Sequence, residues 1–151
     1  MIARKDHALS RRNDTTVWLL IFAAWLVAGV STLGALFFGE VMQLPVCVLC
    51  WYQRICLFPL ALILPFGLFP LDHKVVRYAL SLAAPGWLFA VFHLLLASGV
   101  IPKRIQPCTQ GVPCSDTVIE WFGFVTIPLL SVAAFSIIIA LLSAAHFRSA
   151  P

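Results

Sequence analysis

Four of the five cysteines fall into two pairs, and the first pair carries the clearer chemistry. Cys47-Val48-Leu49-Cys50 puts two thiols two residues apart, a spacing at which a helix start can hold a reversible disulfide. The thiolate is the reactive form, and a helix N-terminus and a nearby cation both stabilise it. Arg54 supplies the cation. It follows Cys50 by four residues, so on a helix the two side chains share a face. Arginine keeps its proton even when partly buried. A cysteine at a membrane edge with a guanidinium one turn deeper could pass electrons to a lipid-soluble acceptor. The plainer readings of the motif are a structural disulfide or half a zinc site. A loop this tight staples almost nothing, which weighs against the first.

Cys108 and Cys114 enclose Thr109-Gln110-Gly111-Val112-Pro113, a stretch whose glycine and proline suit a turn. The pair is either a stable loop closure or an exposed disulfide open to an incoming thiolate. Taken together the pairs suggest a relay, in which an outside dithiol reduces Cys108–Cys114, that pair reduces Cys47–Cys50, and the latter reduces a membrane oxidant. The four thiols could instead form a tetrahedral zinc site. Redox use accounts for Arg54 and for the membrane placement and zinc for neither, so no resident metal is assigned. His93 lies in an apolar run. It either hydrogen-bonds a neighbouring helix, donates to a quinone carbonyl, or shuttles protons. Cys56 stands alone and is read as packing. Glu40 and Gln43 are read as loop polars.

The elements that position these residues are membrane helices. The hydrophobic fraction is 62% and the charged fraction 11%, against about 25% charged in a typical soluble chain. So few charges cannot solvate a globule in water. Three uncharged runs, at about 17–39, 78–100 and 121–143, are long enough to span a bilayer. The apolar run 55–69 is short, so the second span must begin near Leu49, which draws Arg54 into the membrane. Intramembrane ionisable residues are costly and functional by default, although a snorkelling arginine is the blander reading. Pro85 and Pro128 are read as kinks inside spans three and four. Residues 1–15 are polar and are expected to be flexible. The run after Ser10-Arg11-Arg12 is too long for a cleaved export signal and lacks a processing site, so a retained first span is expected.

Basic residues set the orientation. Arg4, Lys5, Arg11, Arg12, Lys74, Arg77 and Arg148 fall on one side of a four-span bundle, and only Lys103 and Arg104 on the other. The positive-inside rule puts both termini in the cytoplasm, and the outer loops, about 40–48 and 101–120, outside with both cysteine pairs. The net charge of +4 is thus topological. No basic cluster is interleaved with aromatics, and no nucleic-acid role is assigned.

At these residues the chain resembles the bacterial disulfide-bond formation proteins of the DsbB/BdbC family. The run Cys47-Val48-Leu49-Cys50-Trp51-Tyr52-Gln53-Arg54 is similar to that family's first-loop motif. Val112-Pro113-Cys114-Ser115 and the run from Ile119 to Ser131 resemble the second-loop cysteine and fourth span of its short BdbC-type branch. The resemblance covers everything but the termini. It implies an all-α bundle of four transmembrane helices in the bacterial inner membrane. It also implies a bound ubiquinone or menaquinone and a thioredoxin-fold partner of DsbA or BdbD type. By position, Cys108 meets the partner's thiolate with Cys114 as its bonded mate. Cys50 sits as a thiolate against the quinone, Cys47 exchanges with the second loop, and Arg54 matches the quinone-site arginine. The second loop is shorter than in the longer DsbB branch, which leaves the equivalence of His93 open. Two other readings stand beside this one. A vitamin-K-epoxide-reductase-like enzyme also has four helices and two cysteine pairs, but its quinone-facing pair is expected on the last span. A non-catalytic membrane protein would use its disulfides only structurally.

Overall fold

The computed structural model describes the backbone of residues 2–44, 46–69, 71–101, 120–121 and 125–149, and the side chains of these except 2–12, 120–121 and 125. Four helices account for nearly all of it. They are α1 (Ile2–Leu36), α2 (Val48–Phe66), α3 (Lys74–Ala97) and α4 (Ile127–Ser149). Each supplies a stretch long and apolar enough to cross a membrane, and the first, Asn13–Val41, runs through the end of α1 into the π-helical turn that follows it. Consecutive helices pack side by side and α1 closes the ring against α4, so the chain is an all-α four-helix bundle. A two-residue antiparallel pairing, β1 (Glu120–Trp121) with β2 (Val125–Thr126), leads into α4.

Two sequence expectations change. The polar N-terminal residues continue α1 back to Ile2 rather than hanging loose. Ala3, Arg4, Lys5, Ala8, Leu9, Arg11 and Arg12 are all good helix formers, and a helix already nucleated in the apolar run extends cheaply through them. Pro128 is not a mid-helix kink. It occupies the first turn of α4, where its missing N–H costs no hydrogen bond.

Helix packing relies on small residues, as expected where lipid is as apolar as the core. Ala24, Ala28, Ala79, Ala83, Ala90 and Ala145 are fully buried between Ile21, Leu60, Leu64, Phe135 and Ile138. Gly86 sits directly under the Phe135 ring, and a Cβ there would also come within 2.9 Å of the Cys56 Cβ. Cys56 therefore packs in the main core. Pro65 cannot donate to the Ala61 carbonyl one turn below it. The Trp25 indole of α1 donates to that carbonyl instead, at 3.1 Å, so the proline is accommodated by a neighbouring helix.

Candidate redox site

The end of the bundle where α1 stops, α2 starts and α3 stops gathers the polar groups. Cys47 is the N-cap of α2, with an extended backbone, and its sulfur accepts the Cys50 N–H at 3.4 Å. The cap is thus made by one reactive side chain on the backbone of the other. Both cysteines are free thiols, and their sulfurs lie 3.0 Å apart.

From α3, one turn before its end, His93 reaches across to both sulfurs. Its Nε2 is 3.7 Å from Cys47 Sγ and its Nδ1 is 4.0 Å from Cys50 Sγ. Gln53 Nε2 lies 3.1 Å from His93 Nδ1. With that amide donating, Nδ1 is the acceptor and the ring proton sits on Nε2, facing Cys47. Gln53, His93 and Cys47 are all buried. The groups that favour a thiolate converge on Cys47. The hydrogen bond from the Cys50 thiol, then those from His93 and from the Cys50 N–H, hold it well below the ordinary thiol range, against the upward push of burial. The family resemblance had pointed to Cys50 as the thiolate. In the reduced pair the stabilising donors face Cys47.

Arg54 is only 9% exposed and turns the other way, towards α1. Its Nη2 donates to the Ala35 carbonyl at 2.6 Å, and the guanidinium lies 5.6 Å from the Trp51 ring centroid. Among the described residues it has no carboxylate partner. A π-helical turn, Phe37–Val41, ends α1 at this point, marked by the Met42 N–H donating to the Phe37 carbonyl. Gly39 within that turn faces the guanidinium. A Cβ there would lie 2.7 Å from Nη2 and 3.0 Å from Nη1. A π-turn at a helix end is often a functional feature, and here it opens the space that the arginine head fills.

Between α2 and α3 an apolar groove of about 600 Å³ runs beside the pair, lined by Leu49, Tyr52, Leu88, Phe89, Phe92 and Leu95. Tyr52 stacks on Phe89 with centroids 5.2 Å apart. Of the sequence-selected residues, Cys47, Cys50, Arg54 and His93 come together at this end. Cys108 and Cys114 lie outside the described residues. Sequence reasoning passed over Gln53 and Gly39. Gln53 had a readable signal, a polar residue three positions after Cys50 on the same helical face. Gly39 had none, because its role depends on a contact between helices.

A partly buried dithiol capped onto a membrane-spanning helix and flanked by histidine and arginine defines a membrane-embedded thiol–disulfide redox protein. The comparisons agree. The profile of the family "Disulfide bond formation protein DsbB" matches residues 14–145. A probable disulfide formation protein of Metapseudomonas resinovorans is 47% identical over 135 residues, covering 89% of this chain and 94% of the relative. Disulfide bond formation protein C of Bacillus subtilis is 43% identical over 121 residues, covering 80% and 88%. A probable disulfide formation protein of Coxiella burnetii is 42% identical over 117 residues, covering 76% and 78%. No solved structure matches the chain. The chain belongs to the DsbB disulfide bond formation family. It is a multi-pass membrane thiol–disulfide oxidoreductase of disulfide bond formation.

Proposed function

We propose that this protein is a protein dithiol:quinone oxidoreductase that reoxidises a thioredoxin-fold oxidase of DsbA or BdbD type. The carrying observation is Arg54, a buried guanidinium with no carboxylate partner among the described residues, one turn below Cys50. Burying such a charge costs on the order of 2.5–3.5 kcal/mol at a helix centre on insertion scales, and less near the surface. A negative oxygen arriving beside it would offset that cost. The donor set fits a quinone: the guanidinium on the α1 side of α2 and the His93 ring on its α3 side supply hydrogen-bond donors, and an apolar groove lies between α2 and α3. When bound, ubiquinone or menaquinone supplies the two-electron acceptor of the reaction.

The chain's own residues do the rest. The partner's thiolate attacks Cys108, releases Cys114 and leaves as a disulfide, with two electrons and two protons now on the Cys108/Cys114 pair. That dithiol attacks Cys47, releases Cys50 and closes Cys108–Cys114 again. The reduced Cys47/Cys50 pair then gives up two electrons and two protons and closes. Gln53 holds the His93 ring, which keeps a proton at Nε2 beside Cys47. Leu49, Leu96 and Phe92 pack around the pair and shield its Cys47 side.

The same reading places the protein in the bacterial inner membrane with both termini cytoplasmic and the cysteine pairs outside, as one membrane domain. An impermeant thiol reagent added to reduced intact cells should label Cys108 or Cys114, and a cysteine placed at Lys74 should be protected. The test of function is quinone-dependent oxidation of a dithiol partner across quinone concentration. Arg54→Met should raise the apparent KM for quinone markedly and Arg54→Lys only in part, since lysine keeps the charge but not the planar fork. Parental behaviour of Arg54→Met at low quinone would make Arg54 a snorkelling charge and end the proposal.

A further inference from the structure

We infer that the reduced Cys47/Cys50 pair and His93 form a three-ligand site for a thiophilic divalent cation of the zinc type. The two sulfurs and a ring nitrogen all lie within 4.8 Å of one another. Zinc binds thiolate at about 2.3 Å and imidazole at about 2.0–2.1 Å, which in a tetrahedron sets sulfur–sulfur edges of roughly 3.8 Å and sulfur–nitrogen edges of roughly 3.5 Å. His93 Nε2 is already 3.7 Å from Cys47 Sγ. The sulfurs, at 3.0 Å, need to part by less than an ångström, a small side-chain rotation at the first turn of α2.

Gln53 supports the histidine as well. A metal-binding histidine usually donates its other ring N–H to a fixed acceptor, which sets the tautomer and the ring plane. Gln53 is buried and in contact with His93 Nδ1 at 3.1 Å. Turning its amide end for end presents the oxygen to Nδ1–H and leaves the Nε2 lone pair towards Cys47. Gln53 can therefore serve either tautomer, proton-bearing or metal-binding.

The step balances without electron transfer. The cation displaces one proton from each thiol, and two thiolates with a neutral imidazole give a site of zero net charge, which suits a buried position. Three protein ligands leave one position for water or an exogenous ligand. A disulfide offers no thiolate, so only the reduced pair binds, and the bound metal holds the sulfurs apart and blocks their oxidation. The site depends on the dithiol and not on which acceptor oxidises it.

Cobalt(II) and zinc(II) are the probes, added to the full-length protein in detergent with Cys108→Ser, Cys114→Ser and Cys56→Ala, so that one pair remains. The reduced protein should show the thiolate-to-cobalt charge-transfer band, zinc should abolish it, and the oxidised protein should show none. Gln53→Leu should weaken zinc binding about 10-fold, the low end for lost outer-shell partners, and His93→Ala should weaken it more. X-ray absorption of the zinc-loaded protein, with His93 intact, should read two sulfurs and one imidazole nitrogen. Absence of the cobalt band in the reduced protein, or a zinc shell of sulfur without imidazole, would overturn the inference.

Discussion

Cys56 and Cys50 lie on the same helix fewer than two turns apart, yet they belong to different kinds of protein interior. Around Cys56 the bundle is dry and tight, with Gly86, Phe135 and Ala83 filling the space between helices. Around Cys50 the three helix ends carry Gln53, Arg54 and His93, each buried and each hydrogen-bonded to another element. A polar group in a low-dielectric setting is tolerated only when partnered. The core end gains its stability mainly from shape, with the Trp25 hydrogen bond as a small addition, while the redox end accepts the cost of buried polar groups to hold reactive groups at fixed distances.

The sharpest way to break this contrast is to delete the two thiols in turn. Cys50→Ala should abolish oxidation of a dithiol partner, and Cys56→Ala should leave it nearly intact, both measured as partner reoxidation with quinone in excess. Comparable loss in both would mean that Cys56 belongs to the redox set. Next in size are the glycines of α1 and its π-turn. Gly39→Ala should push the Arg54 head from its seat and raise the apparent KM for quinone, approaching Arg54→Met without adding to it in the double variant. Gly34→Ala, whose added Cβ would meet nothing within 4 Å, is the control and should behave as the parent. Additive effects of Gly39→Ala and Arg54→Met would separate the two residues.

In the dry half the readout changes from activity to stability. Gly86→Ala overfills the gap below Phe135 and should cost about 1–3 kcal/mol, seen as a lower melting temperature in detergent. An unchanged melt would mean that Phe135 can move aside. The smallest effect should come from Trp25→Phe, which removes the donor to the Ala61 carbonyl. Interhelical hydrogen bonds in membranes are worth about 0.6 kcal/mol on average. A much larger loss would show the Pro65 turn to depend on that single bond.

Four apolar runs, their lengths and the short second one determine the bundle from sequence, because lipid leaves helices as the way to satisfy backbone groups in a single chain of this kind. The cysteine spacing and Arg54 were legible for a similar reason: a CxxC at a helix start and a charge in an apolar run are both local, one-dimensional signals. What the tertiary structure alone decided is which neighbours those groups meet. His93 is 40 residues from Gln53 in sequence and within hydrogen-bonding distance of it in space. Arg54 faces α1 rather than the cysteines' far side because a π-turn and a glycine leave room there. Neither contact has a sequence period, since both arise from the rotation of one packed helix against another, and that rotation is set by the alanines and glycines buried between them rather than by the polar residues it brings together.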